Sequence, residues 1–133
     1  MTANNDSNSE FINVSINNKK RHFKIQDIST FHNMSEIKCF FCNRSEKELG
    51  NEEHLEKEHI IQLVEGGEDR LENLQILCTA CHKLKNWMIY FVKFRTLKPG
   101  YYKFVQEHPD LIEKWNNKNI NLYDFLGESR DEQ

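Results

Sequence analysis

Four cysteines in two Cys-x-x-Cys pairs constrain the fold of this chain more than any other feature. Cys39 and Cys42 form one pair, and Cys78 and Cys81 form the other. Two intervening residues let one tight turn direct both sulfurs at a single ion, and two such turns complete a tetrahedral site with Zn–S bonds of about 2.3 Å. Cys42 and Cys78 are 36 positions apart, so a folded substructure must lie between the turns. The pairs therefore predict a closed, structural Zn²⁺ site.

Other uses of the cysteines fit the sequence less well. Residues 1–10 are polar and carry no basic side chain, so we expect no export signal, and without export such pairs favour a metal over disulfides. Cys78 to His82 also spells a haem-attachment motif, but that would leave the first pair unexplained. A thioredoxin-like role would need a βαβ unit, and none is visible. Four buried free thiols remain the alternative to a zinc site.

Composition indicates one modest domain in a polar chain. Of its 133 residues, 38% are hydrophobic and 29% are charged, and no apolar run approaches the length of about 18 residues that spans a bilayer. We therefore expect a cytoplasmic protein, or a nuclear one in a eukaryotic host. The formal net charge is −3, but residues 19–24 and 83–98 carry several basic side chains and no acid. Each run fits a phosphate-binding face and ordinary solvated charge about equally well.

The region between and just after the cysteine pairs reads as strand, loop, strand and helix. The β-branched run at 59–64 and the apolar run at 73–78 predict two antiparallel strands, joined by a loop that contains Gly66-Gly67. Apolar residues then recur at three- and four-residue spacing, which predicts an amphipathic helix with Thr79 as N-cap and Pro99-Gly100 at its end. The fold class is therefore α+β, with a small core domain at residues 39–98.

The flanking regions carry weaker signals. Residues 1–10 predict a disordered tail. The N-terminal extension, residues 11–38, contains two alternating apolar stretches, 11–16 and 22–25, that predict a β-hairpin. Residues 99–133 predict one or two short helices, which gives a C-terminal helical extension.

The stretch "EHIIQLVEGGEDRLENLQILCTACHKLKN" resembles the HNH nuclease family, which has the ββα-metal fold. That family places an acid-His pair on the first strand, Gly-Gly in the loop, Asn-Leu at the second strand, and Cys-x-x-Cys-His followed by lysine on the helix. The matching residues here are Glu58-His59, Gly66-Gly67, Asn73-Leu74, Cys78, Cys81, His82 and Lys85. Asn73 follows His59 by 14 positions, and His82 follows Asn73 by nine. The resemblance covers roughly residues 39–86.

The resemblance implies a metal-dependent endonuclease that hydrolyses DNA phosphodiester bonds. His59 would be the general base that activates water, while Glu58 and His82 would bind a catalytic divalent ion such as Mg²⁺ or Mn²⁺. Asn73 would not be a ligand but would bond the backbone across the loop. The implied partner is the phosphate backbone of DNA, with no membrane contact, and a homodimer stays open at this stage.

Glu58 departs from the family pattern, in which Asp is the usual residue before the histidine. Neighbouring residues of an ideal strand point to opposite faces, so Glu58 and His59 can serve one site only if the strand is distorted or ends there. Singly, each site residue has an ordinary explanation: a packed strand histidine, a surface acid, a loop asparagine, or a fourth zinc ligand in the case of His82. Their joint spacing favours the nuclease. A catalytically silent, zinc-stabilised nucleic-acid-binding module is the main alternative, and a zinc-held protein-interaction domain is another.

Overall fold

The structure, a computed structural model, describes residues 22–127 of the chain. Within that range it contains two strands and four helices: α1 (Ile25–Phe31), β1 (Leu55–His59), β2 (Leu74–Cys78), α2 (Thr79–Phe94), α3 (Tyr101–Glu107) and α4 (Pro109–Lys118). Single 3₁₀ turns occur at Glu46–Glu48, Leu63–Glu65, Leu71–Asn73 and Leu122–Phe125. No helix in residues 22–127 combines the length and apolar character needed to cross a bilayer.

The two strands form an antiparallel pair that lies at the centre of the core. Their register runs from Leu55 opposite Cys78 to His59 opposite Leu74. All five residues of β2 are buried, and both α1 and α2 pack on this strand, so neither of its faces is open to water. The order β1, β2, α2 confirms the predicted α+β class and agrees with a ββα-metal fold. It also brings the end of β1 beside the first turns of α2.

Strand β1 lies earlier in the sequence than predicted. The expected strand was residues 59–64, but the strand ends at His59 and the β-branched residues that follow leave it. The Ile60 amide still donates to the Asn73 carbonyl at 2.7 Å. The next amide, that of Ile61, donates instead to the side-chain oxygen of Asn73. The strand sequence "LEKEH" has three charged or ionisable residues in a row after its first glutamate, a composition more typical of a solvent-exposed loop than of a core strand. Its glutamates are tolerated because partners on α2 satisfy them.

The limits of α2 also differ from the prediction. Cys78, not Thr79, is the N-cap, and its sulfur accepts the amide of Cys81 at 3.4 Å. The helix ends at Phe94, before the Pro99-Gly100 pair, because Arg95 adopts a left-handed conformation with φ of 56°. The amide of Arg95 donates to the Phe91 carbonyl, which is a usual way to close a helix.

The predicted N-terminal hairpin is wrong in its second strand. Residues 22–24 have no regular structure and Ile25 begins α1. The Asp27 carboxylate accepts the Lys24 amide at 2.9 Å, which satisfies an amide at the helix start, and Ile28 is fully buried. The first strand of that hairpin, residues 11–16, and the predicted tail at 1–10 lie outside the described residues.

The C-terminal helical extension is confirmed as α3 and α4. Leu111 and Trp115 of α4 are buried, and the Trp115 ring meets the Phe41 ring edge-on at 4.9 Å between centroids. After α4 the chain returns to the core, where Phe125 is buried and packs near Phe41. The extension is therefore part of the same core as the strands and α2.

Candidate metal centres and active site

The four cysteine sulfurs form one compact group. All four side chains are buried, and their sulfurs lie within 4.8 Å of one another. The Cys42 and Cys78 sulfurs are 3.7 Å apart. Four sulfurs on a tetrahedron with bonds of about 2.3 Å would lie about 3.8 Å from one another. The group could therefore hold one metal ion with little rearrangement.

Local backbone geometry places each pair of sulfurs. In the first pair, the amide of Cys42 donates to the Cys39 sulfur at 3.5 Å, and the Cys39 amide is held by the Arg44 carbonyl at 3.0 Å. In the second pair, Cys78 ends β2 and Cys81 lies in the first turn of α2. One pair is thus fixed by a tight turn and the other by the junction between a strand and a helix.

Two side chains outside the cysteine pairs donate hydrogen bonds to the sulfurs. The Arg44 guanidinium lies 3.2 Å from the Cys42 sulfur and 3.3 Å from that of Cys78. The indole of Trp115 donates to the Cys81 sulfur at 3.2 Å. Such donors stabilise negative charge on sulfur and orient it, as partners around metal ligands do.

Contacts inside the sulfur group shift the thiol pKa values in opposite directions. The hydrogen bond with Cys39 lowers the pKa of the Cys42 thiol, and the Cys78 and Cys81 sulfurs act in the same direction. The hydrogen bond with Cys39 raises the pKa of the Cys81 thiol. A bound cation would replace the thiol protons, because metal ligands are thiolates.

A second cluster lies beside the first, where β1 faces the start of α2. Glu56 and Glu58 are two residues apart on β1 and therefore lie on the same face of the strand. His82 of α2 lies between their carboxylates. Its Nδ1 is 2.6 Å from Glu56 Oε1, and its Nε2 is 3.1 Å from Glu58 Oε2. The structure therefore brings together two of the predicted site residues, Glu58 and His82, and adds a carboxylate, Glu56.

Lys85 is the most enclosed member of this cluster. Its side chain has 0% exposure, and its ammonium donates to Glu58 Oε1 at 2.6 Å and to the carbonyls of His59 and Ile60 at 2.6 and 3.0 Å. The ammonium also lies 4.7 Å from the centre of the Phe125 ring. Burial lowers the pKa of Lys85, while the Glu58 carboxylate opposes that effect. One oxygen of Glu58 is thus held by Lys85, and the other is directed at His82.

β1 ends at His59, so the strand stops at the Glu58-His59 pair. An end at this point is one of the two conditions under which neighbouring strand residues could serve one site. The His59 side chain is 27% exposed, and its Nε2 lies 3.0 Å from Asp69 Oδ1 in the loop between the strands. The adjacent Glu58 is only 8% exposed. The two neighbours therefore have different environments, one open to solvent and one enclosed against α2.

Asn73 joins the loop to the residues that follow His59. Its Oδ1 accepts the Ile61 amide at 2.9 Å, and its Nδ2 donates to the carbonyls of Ile61 and Glu68 at 2.9 and 2.8 Å. Gly67 lies directly against this contact, since a Cβ there would come within 1.9 Å of the Ile61 oxygen. The loop can pack this closely only with glycine at position 67.

Sequence reasoning missed three residues that touch the predicted site. Glu56 could have been found from the alternation of β1, had the strand been placed at Leu55–His59. Asp69 and Phe125 had no signal, because an acid in a loop and a distant aromatic residue occur in most sequences. Their roles depend on how the chain folds back on itself.

Residues 39–87 match the family model described as HNH endonuclease. The matched segment begins at the first cysteine and ends within α2, so it contains both clusters. No curated protein and no solved structure matches the chain. The resemblance to HNH nucleases is confirmed for this segment. It indicates a nuclease or another function related to nucleic acids.

Proposed function

We propose that this protein is a metal-dependent endonuclease that hydrolyses phosphodiester bonds of DNA. The observation that supports it most is the pairing of Glu58 Oε2 with His82 Nε2, 3.1 Å apart, inside the HNH segment. Two ligands at about 2.1 Å from an octahedral ion, in adjacent positions, lie about 3.0 Å apart. The pair therefore fits one divalent ion, Mg²⁺, Mn²⁺ or another first-row ion, with other positions left for water and phosphate.

Lys85 fixes how Glu58 would bind that ion. Because the ammonium holds Oε1, the carboxylate offers Oε2 alone, as a single ligand atom. Lys85 also bonds the carbonyls of His59 and Ile60, so the carboxylate and the end of β1 are held together. An ion held here would polarise a phosphoryl oxygen and stabilise the departing 3′ oxygen.

His59 is the proposed general base. Its side chain is partly exposed, and Asp69 would accept the hydrogen on Nε2. In the neutral ring the remaining nitrogen, Nδ1, is then the acceptor that takes a proton from water. Asn73 would keep His59 in place by holding the backbone of Ile61, two residues further on.

The four cysteines would bind a structural zinc ion. A site with four thiolates has no open position for substrate, so its role would be to fix the fold. It would hold the first turn of α2, from which His82 also projects. Exposed basic residues of α2 and the segment after it, Lys83, Lys93, Arg95 and Lys98, would contact the phosphate backbone of DNA.

The proposal is tested by incubating supercoiled plasmid with the zinc-loaded protein and Mg²⁺ or Mn²⁺. We expect the wild type to nick the plasmid and His59→Ala to lose about 10²- to 10⁴-fold in rate, the usual contribution of a general base. His22→Ala is the matched control, because His22 is an exposed histidine that takes part in none of the contacts described for the two clusters.

Two results would contradict the proposal. Nicking by His59→Ala at the wild-type rate would remove His59 as the base. DNA binding by the wild type without nicking, under either metal, would favour the catalytically silent binding module. Circular dichroism of His59→Ala would show that its fold is retained.

A further inference from the structure

Glu56 lies outside the acid-His pair, but it makes the shortest contact to His82. Glu56 Oε1 is 2.6 Å from His82 Nδ1, while Glu58 is 3.1 Å from the opposite ring nitrogen. The imidazole is thus held at both nitrogens by carboxylates from one face of β1. Only one of these nitrogens can be a metal ligand, and the other needs a partner that sets the ring's orientation.

The Glu56 carboxylate is itself held in position from two other parts of the chain. Its Oε2 lies 2.8 Å from His54 Nε2 and 3.3 Å from the Thr79 hydroxyl. His54 and Thr79 are also joined through their backbones, since the Thr79 amide donates to the His54 carbonyl at 3.0 Å. The residue just before β1 and the first residue of α2 therefore fix the carboxylate together.

We propose that Glu56 is the positioning residue of His82. It accepts the hydrogen of Nδ1, which fixes the ring orientation and the tautomer and presents Nε2 toward Glu58 Oε2. The part of this inference that concerns the ion rests on the proposed function. Histidines that bind metals generally donate their other N–H to a carboxylate or carbonyl, and loss of that partner typically weakens metal binding 10- to 100-fold, on the order of the effect expected here.

The two contacts distinguish the two ring nitrogens. In a neutral imidazole whose Nδ1 donates to Glu56, Nε2 carries the lone pair, and a histidine that binds a metal must be neutral. Nε2 would therefore be the nitrogen that faces an ion bound by Glu58.

The first measurement is Mn²⁺ binding to the zinc-loaded protein by calorimetry. Zinc occupies the sulfurs, so Mn²⁺, which prefers oxygen and nitrogen ligands, reports on the second cluster. We expect Glu56→Gln to weaken Mn²⁺ binding by about 10- to 100-fold, and Glu52→Gln, an exposed glutamate with the same charge change, to leave it unchanged. Equal affinity of Glu56→Gln and wild type would overturn the inference.

The second measurement needs no metal at the second cluster. In nuclear magnetic resonance spectra of the zinc-loaded protein, we expect a slowly exchanging His82 Nδ1 proton in the wild type that Glu56→Gln loses or shifts strongly. Its absence from the wild type would refute the positioning contact. Its presence without Mn²⁺ binding would leave the contact standing and count against the proposed function alone.

A third variant covers the case in which Glu56→Gln does not fold. Glu56→Asp keeps the charge but withdraws the carboxylate by one methylene, so it should also weaken Mn²⁺ binding and shift the Nδ1 proton. Zinc content and thermal unfolding are recorded for each variant. A variant with lower thermal stability but unchanged Mn²⁺ affinity would show a merely structural role for Glu56 and would contradict the inference.

Discussion

The two clusters both draw residues from the first turns of α2, and they are built in opposite ways. The sulfur group has four identical donors, all buried, from two cysteine pairs of the same spacing. The cluster around His82 has two carboxylates, one imidazole and an ammonium, and its side chains range from 0% exposure at Lys85 to 33% at His82. A uniform, enclosed set of donors suits an ion that never meets substrate. A mixed, partly open set suits an ion that must.

The side chains around the two clusters differ in the same way as the clusters themselves. N–H donors from Arg44 and Trp115 point at sulfurs that lie within 4.8 Å of one another. At the other cluster, Lys85 already satisfies one of the Glu58 oxygens and leaves the second for an incoming ion. Under the proposed function, the start of α2 would combine a site that maintains the fold with a site for chemistry. The comparison predicts that loss of the sulfur group disrupts both clusters, while a substitution in the cluster around His82 leaves the sulfur group intact.

Removal of the zinc should have the largest effect. Structural zinc contributes on the order of 10–16 kcal/mol in small domains, which is comparable to or greater than the whole stability of about 5–15 kcal/mol of an ordinary domain. We therefore expect Cys39→Ser to lose zinc, helical circular dichroism and nicking together. A Cys39→Ser protein with one zinc per chain and an unchanged melting temperature would contradict the structural role.

Substitution at Lys85 should disrupt the cluster around His82 and leave the sulfur group intact. Lys85→Met removes the partner of a buried carboxylate, which generally costs about 3–5 kcal/mol. Urea unfolding of the zinc-loaded protein measures this loss, and zinc content should remain one per chain. Lys83→Met is the matched control, because Lys83 is exposed on the same helix.

The double variant Lys85→Met with Glu58→Leu separates the ion pair from simple packing. Replacing both members of a buried pair by apolar residues is often neutral, so stability should recover while nicking stays absent. If Lys85→Met unfolds at the same urea concentration as Lys83→Met, the ammonium does not stabilise Glu58.

Loss of the Asn73 side chain should have the smallest effect of the three on stability. Asn73→Ala removes hydrogen bonds to the Ile61 and Glu68 backbones, at a cost of about 1–3 kcal/mol for the partly buried groups left unpaired. The Ile61 amide should exchange faster with solvent, and nicking should fall because His59 is less firmly held. Asn117→Ala, on the exposed face of α4, is the control. Unchanged exchange at Ile61 would refute this role.

The sequence predicted the sulfur group better than the second cluster, for a physical reason. The two cysteine pairs are defined by local spacing, which a tight turn or a helix start translates directly into geometry. β1 was misplaced because Glu56 and Glu58 look like solvent-facing charges. Their partners, His82 and Lys85, are more than 20 positions away in the sequence. Only the folded chain shows that these side chains are partners.

The ring of Phe125 over the Lys85 ammonium has a consequence for how this domain can be divided. Phe125 lies well outside the matched segment, yet it covers the most buried charge of the site within it. A fragment cut after residue 98 would keep every residue of the family motif and would expose this ammonium to water. The motif is therefore smaller than the unit that can be transplanted, and a graft of the site onto another scaffold would have to supply an aromatic cover of its own.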